Sequence, residues 1–239
     1  MEKFNKISAI VAAQQFISDF FPNCDGALLA GSVVRGEATE TSDLDIVVFD
    51  IDITSSYRES LIYCGWPIEV FVHNLSSYRH FFELDIERAR PSLPRMVSEG
   101  LVLRDEGIVD SIKKEATNLL ELGPKEWSEE TINVKRYFIT DALDDFKCCS
   151  NRSEGIFIAN TLAELLSEFV LRTNRRWIGA SKWVYRALRE YNEDFAKQFV
   201  ESFELFYRTD DKTQILQLAD HILEPFGGQL FDGLSLGKG

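Results

Sequence analysis

The sequence predicts an α/β domain, a sheet with flanking helices, followed by an all-α helical bundle. Three observations carry that reading. Strand-sized apolar runs alternate with helical patterns over the first half of the 239 residues. Gly123-Pro124 then interrupts the pattern. Beyond it almost every window repeats with helical rather than two-residue spacing. The expected boundaries are therefore 1–123 for the α/β domain and 124–239 for the helical one.

Taken in order, MEKFNKISAIVAAQQF has its apolar residues at helical spacing and predicts a helix near Lys6–Phe20. GALLA and LDIVVF read as strands, SLIY as a weaker one, and PIEVFV as a fourth. A helix is expected from about Ser76 to Arg90, a short strand LVLR after Gly100, and a helix near Ile108–Leu122 that Gly123 ends. The second half is expected to hold helices near Glu129–Cys148, Glu154–Thr173, Ser181–Tyr191, Glu193–Tyr207 and Lys212–Leu223. The glycine-rich tail from Gly227 is expected to fray. Its GLSLGKG has too short a spacing for a phosphate loop and lacks both the Ser/Thr after Lys238 and a following helix.

Composition narrows the function. Thirty-nine acidic against 26 basic residues give a net charge of −13, which opposes broad contact with nucleic acid or an anionic membrane. The excess sits in the strand-bearing half, where 11 basic and 20 acidic residues up to Leu122 leave −9. The longest apolar runs fall far short of the roughly 20 residues that span a bilayer, and the N-terminus lacks a cleavage-type small-residue site. A cytoplasmic protein with a small or cationic partner is expected. The four cysteines have neither C-x-x-C spacing nor a histidine at metal-ligand distance and are expected to be free, buried thiols. His73 is expected to be an ordinary polar strand end, about 13 Å along the strand from Glu69 and too far to share an ion with it; His80 and His221 receive no role. Asp50 and Asp52 are expected to be solvated in a loop.

The informative stretch is LLAGSVVRGEATETSDLDIVVF, residues 28–49. An apolar strand ends in Gly31-Ser32, a turn bearing Arg35 and Gly36 follows, and Asp43-Leu44-Asp45 opens the next apolar strand. Residues two apart on a strand share a face, so Asp43 and Asp45 present two carboxylates together while Leu44 and Ile46 face the core. Paired carboxylates suit Mg²⁺, which keeps several waters and binds substrate phosphates in its remaining positions. Gly31 admits close backbone approach, and Ser32 with the following amides could bond phosphate oxygens at a nearby helix start. The stretch reads as a metal-nucleotide site.

An apolar residue, Gly-Ser, a spacer and D-x-D between apolar residues resembles the motif of the polymerase-beta-like nucleotidyltransferase superfamily. Arg35-Gly36 and Ser42 stand where many small bacterial members carry R-G and S-D. The resemblance implies a nucleotidyltransferase-fold mixed sheet and a third carboxylate from a neighbouring strand, for which PIEVFV offers Glu69, at a place where many relatives have Asp. It further implies that Asp43, Asp45 and Glu69 hold two Mg²⁺ ions, with Gly31, Ser32, Arg35 and Ser42 on the nucleotide, ATP or another NTP.

A second signal lies in LRTNRRWIGASKWVYRALRE: six basic residues from Arg172 to Arg189 and no acidic one. Lys182, Arg186 and Arg189 share a helix face that could meet an anion or pair with neighbouring glutamates, while Trp183, Val184, Ala187 and Leu188 serve the core. RRWIGASKWVYRAL after RYFITDALDDF resembles the helical domain of bacterial aminoglycoside-type nucleotidyltransferases. That implies Lys182 on the nucleotide phosphates and a helical-domain carboxylate, here Asp141 ahead of Asp144 and Asp145, as the base for the acceptor hydroxyl.

The expected activity is Mg²⁺-dependent transfer of a nucleoside monophosphate, AMP from ATP, onto a hydroxyl of a small cationic acceptor such as an aminoglycoside, an antibiotic-resistance reaction taking place in a cleft between the domains. The alternatives are a protein-modifying, AMP-adding enzyme and a nucleotide-binding module without turnover. Nucleic acid ranks last as a partner.

Overall fold

The computed structural model describes residues 7–235. Two compact units divide between Gly123 and Pro124. In the first, α1 (Ala9–Phe20) precedes strands β1 (Gly26–Ala30), β2 (Leu44–Phe49), β3 (Tyr57–Tyr63) and β4 (Trp66–His73); α2 (Ser77–Glu87), α3 (Ser92–Glu99), β5 (Leu101–Asp105) and α4 (Val109–Leu122) follow. Lys6, the expected start of the first helix, lies outside the described residues. The helix starts at Ala9, where the Ser8 hydroxyl accepts the Val11 N–H.

The sheet runs in the order β3-β4-β2-β1-β5. It is mixed: β2 and β4 are parallel, and every other pair is antiparallel. Alternation sends Leu44, Ile46 and Val48 to the α1 face with Ile68, Val70 and Val72 of β4. Val47, Phe49 and Leu28 go to the opposite face, under α2, α3 and α4. With both faces covered, β2 reads as a continuous apolar run interrupted only by Asp45.

α3 is an element that sequence patterning does not reveal, because Pro91 and Pro94 read as breakers. Pro91 is its N-cap and Pro94 sits in its first turn, where a missing N–H costs no intrahelical bond. The start is secured from α2, since the buried Asp85 carboxylate accepts the Leu93 N–H at 2.7 Å and pairs with Arg88.

The thiols also depart from expectation. All four are free, but only Cys24 is buried, its pKa raised to about 11 chiefly by desolvation; Cys64 and Cys148 are exposed.

The second unit comprises α5 (Glu129–Cys148), α6 (Arg152–Thr173), α7 (Lys182–Tyr191), α8 (Glu193–Thr209), α9 (Thr213–Leu223) and a 3-10 turn, Glu224–Phe226. Ser128, Asn151 and Asn192 cap α5, α6 and α8 by accepting backbone N–H groups in their first turns. Phe146, Leu162, Phe169, Phe206 and Leu218 are among its fully buried side chains. The tail does not fray at Gly227: Arg136 Nε donates to the Gly228 carbonyl at 2.9 Å, the Leu230 N–H donates to Thr140 Oγ1 at 2.9 Å, and Phe231 stacks on Tyr137. Leu236–Gly239, including Lys238, lie outside the described residues. Among the described residues no helix is long and apolar enough to cross a membrane.

His73, expected to be an ordinary polar strand end, is instead only 5% exposed at the end of β4, with its ring against Phe81 and its Nδ1 without a hydrogen-bond partner among the described residues. Desolvation lowers its pKa from 6.5 to about 4. The unfolded chain therefore takes up the proton first as pH falls. The stability this neutral ring confers is complete above pH 6.5 and is lost as pH falls towards 4. Urea denaturation should show the stability difference between wild type and His73→Leu moving towards the variant by about 3 kcal/mol between pH 7.5 and 4. A pH-independent difference would refute the buried neutral ring.

Candidate metal centre

The site is built where β1, β2 and β4 lie side by side. Ala30, the last residue of β1, is paired with Asp45, and Asp45 is paired with Glu69 across the parallel β2/β4 ladder. Asp43 lies one residue before β2, with the buried Leu44 between the two aspartates. One carboxylate oxygen from each of Asp43, Asp45 and Glu69 can be chosen so that all lie within 4.8 Å of one another, and all three residues are half-buried. The register thus unites a pair two apart in sequence with a residue 24 positions beyond Asp45.

The cluster is electrostatically uncomfortable by itself. Asp45 has its pKa raised from 3.8 to about 6, first by desolvation and then by the charges of Asp43 and Glu69, against the opposing influence of Arg35 and Arg58. Three carboxylates held this close call for a cation, and an all-oxygen donor set with charge in excess suits a hard divalent ion such as Mg²⁺. The donor chemistry therefore fits the metal implied by the sequence.

Gly31 follows β1 with φ +79°, and a Cβ there would lie 2.0 Å from Asp45 Oδ2. Its missing side chain makes room for the carboxylate itself, where the sequence suggested room for a phosphate. The expected helix start after Gly31 is a set of turns over residues 32–36, closed by the Glu37 N–H on the Ser32 carbonyl at 2.9 Å. Ser32 Oγ donates to Ser42 Oγ at 3.2 Å, and Ser42 Oγ accepts the Thr39 N–H at 2.8 Å. These two hydroxyls staple the loop that delivers Asp43. Arg35 pairs with Glu37 at 3.2 Å and with Glu99, the last residue of α3. That second contact anchors the turn to the helix hidden by its prolines.

Glu69 also has a partner that patterning misses. Arg58, on the edge strand β3, donates from Nη2 to Glu69 Oε2 at 2.5 Å. A strand arginine in SSYRESLIY carries no signal in sequence, since the β3/β4 register is needed to place it.

The remaining sequence candidates lie in the helical unit. Asp141 is exposed on α5, Asp144 pairs with Lys147 at 3.3 Å, and the Asp145 carbonyl accepts the Cys149 N–H. Lys182 is exposed at the first residue of α7, Arg186 lies over the Trp183 ring at 4.7 Å, and Val184, Ala187 and Leu188 pack into the core.

Residues 14–61 match the family described as a nucleotidyltransferase domain, a span that holds Gly31, Ser32, Asp43 and Asp45 and ends before Glu69. That part of the α/β unit is similar to a nucleotidyltransferase domain. Among solved structures, the chain is similar to a nucleotidyltransferase-like protein from Exiguobacterium sibiricum, with a TM-score of 0.50 and 12% identity over 91% of this chain and 75% of that one. At that identity the likeness is one of fold. A search of curated proteins finds no match.

Gly31→Ala should destabilise the α/β unit by about 2–4 kcal/mol, combining an unfavourable φ with a clash into Asp45. Chemical denaturation of Gly31→Ala and of the double variant Gly31→Ala/Asp45→Ala checks this. The second substitution should recover part of the loss, and no recovery would show that Asp45 is not what the glycine accommodates.

Proposed function

We propose that the protein is a divalent-metal-dependent nucleotidyltransferase that moves AMP from ATP onto a hydroxyl of a small cationic acceptor, with amino sugars of the aminoglycoside type as the leading class. The observation that carries the reading is the Asp43–Asp45–Glu69 cluster, set by strand register inside a nucleotidyltransferase domain. These three residues would hold the metal. Bound there, Mg²⁺ supplies charge neutralisation at the transferring phosphoryl group and lowers the pKa of the attacking oxygen.

The protein's own part is positioning. The turn from Ser32 to Gly36 follows the strand end paired with Asp45, and Ser42 and Arg35 hold that turn in place. This arrangement favours a donor whose phosphates are oriented before reaction, so that the acceptor meets a fixed electrophile. From the helical unit, Lys182 is proposed for the donor phosphates, an exposed ammonium being suited to phosphate oxygens as a point charge. Asp141 is proposed as the base for the acceptor hydroxyl. The acceptor's positive charge follows from the excess of 20 acidic over 11 basic residues up to Leu122, which raises the local concentration of cations.

The deciding experiment incubates the protein with ATP, other NTPs, Mg²⁺ and a panel of amino sugars, lincosamides, neutral sugars and candidate proteins, and detects adducts by mass. An AMP adduct on an amino sugar, weakened by salt, is expected. Adducts on proteins alone would redirect the acceptor assignment, and no adduct on any acceptor would favour a nucleotide-binding module without turnover.

Asp45→Asn should lower transfer by about 100-fold or more while leaving the fold intact, because a metal-bearing charge is removed at nearly constant shape. Unchanged turnover in the folded variant at saturating Mg²⁺ would refute the metal assignment. Since Asp45 titrates near pH 6 without metal, protons compete with the ion. Mn²⁺ affinity should rise through pH 6 and level off above it, as followed by titration calorimetry. Lys182→Ala should weaken ATP binding by about tenfold without altering Mn²⁺ affinity; separate titrations of the two ligands test this, and unchanged ATP affinity would remove Lys182 from the donor site.

A further inference from the structure

The sheet that assembles the three carboxylates also delivers a permanent cation to them. The β3–β4 hairpin is closed by Cys64-Gly65, both with left-handed φ, which fixes the pairing of Tyr63 with Trp66 and of every residue behind it. Four residues on from that turn the register sets Ser60 opposite Glu69, and two further it sets Arg58 opposite Phe71. Arg58, Ser60, Glu69 and Phe71 therefore stand on one face of the sheet, the face of Asp45. The Arg58 guanidinium lies over the Phe71 ring, 4.9 Å from its centroid, and reaches diagonally to Glu69 Oε2. Its charge is also felt at Asp45, one strand further in.

We propose that Arg58 is a built-in counter-cation of the carboxylate centre, holding Glu69 when no divalent ion is bound and competing with that ion when one arrives. This rests on the reading of Asp43, Asp45 and Glu69 as a metal centre. The location of the arginine supports competition more than simple reinforcement. Its side chain is 57% exposed, against 28% for Glu69, so the guanidinium can leave Glu69 for water at little cost, whereas a buried arginine could not. A divalent ion placed among the three carboxylates would face Arg58 across Glu69, and like charges at that range oppose each other even where water screens them. The consequence is a centre whose affinity for the free ion is held down. Binding of the ion then depends more strongly on the additional oxygen ligands of a nucleotide's phosphates, the ligand set Mg²⁺ prefers.

The test is titration of the intact protein with Mn²⁺ alone, by calorimetry or by electron paramagnetic resonance of the free ion, for wild type, Arg58→Gln and Arg58→Lys. Melting curves are recorded with and without the ion. Arg58→Gln should bind Mn²⁺ about 3- to 10-fold more tightly than wild type, with the gap narrowing at high salt. Arg58→Lys, which keeps the charge, should stay close to wild type. Without metal, Arg58→Gln should melt lower than wild type, and the gap should narrow when both are compared at the same Mn²⁺ concentration, whereas loss of edge-strand packing alone would leave the gap unchanged. Arg58→Lys keeps the question open to measurement should the glutamine variant fail to fold. There the proposal requires wild-type affinity, and a change beyond about threefold in either direction overturns it. Equal or weaker Mn²⁺ binding by folded Arg58→Gln, in a wild type that binds the ion, overturns the role of Arg58 and leaves the metal centre standing. Absence of Mn²⁺ binding in wild type and variants alike overturns the metal centre and this proposal together.

Discussion

The repulsion among Asp43, Asp45 and Glu69 is the constraint on which the α/β unit turns. Strand register brings them together: β2 and β4 are parallel neighbours with Asp45 opposite Glu69, and β2 is immobilised because every other residue in it is fully buried. A strand locked between helices on both faces cannot relax to separate the carboxylates. The cost falls on Asp45, whose ionisation is pushed to about pH 6 first by desolvation and then by its two acidic neighbours. Gly31 bears the same constraint from the other side, because the space a side chain would take is already filled by the Asp45 carboxylate. The Gly-Ser end of β1 and the acidic start of β2 are thus one packing unit.

Local devices manage the charge that results. Arg58 reaches Glu69 over Phe71 from the edge strand, and Arg35 ties the turn beside the cluster to the end of α3. On the same sheet face as Glu69, but four residues along β4, His73 is desolvated enough to remain neutral. One end of the face therefore concentrates charge and the other excludes it. Acidification acts on them in opposite senses, protonation of Asp45 relieving repulsion and protonation of His73 placing a charge in the core.

The helical unit is organised around a different kind of interior, an apolar bundle in which the buried Arg136 and Arg172 each donate to a backbone carbonyl. Arg136 holds the chain after the last helix through the Gly228 carbonyl, and Arg172 holds the chain before the first through the Lys125 carbonyl while lying over Trp127. Both ends of the bundle are thereby fastened by guanidinium groups bonded to carbonyls, the geometry that suits a planar, poorly hydrated cation in a partly apolar setting. Segment 124–128 accordingly follows the bundle, and the left-handed Gly123 marks where the α/β unit stops.

Elements whose signal is local were legible in the sequence. GALLA, LDIVVF and PIEVFV read as strands, the second half as helical, and the D-x-D spacing at a strand start predicted that Asp43 and Asp45 present their carboxylates together. The Gly-Ser and D-x-D spacing also carried the resemblance to nucleotidyltransferases, and the matching domain model spans both motifs. Tertiary structure decided whatever depends on which strand lies beside which. Glu69 was legible as a candidate, but its place beside Asp45 comes from the parallel β2/β4 register. Arg58 was invisible, because its partner is 11 residues away across a hairpin and no periodicity encodes that diagonal. α3 was hidden because two prolines that normally break a helix serve here as its cap and first turn. The role of Gly31 changed for the same reason: a sequence shows that a side chain is missing, and only the folded chain shows that the Asp45 carboxylate occupies its space.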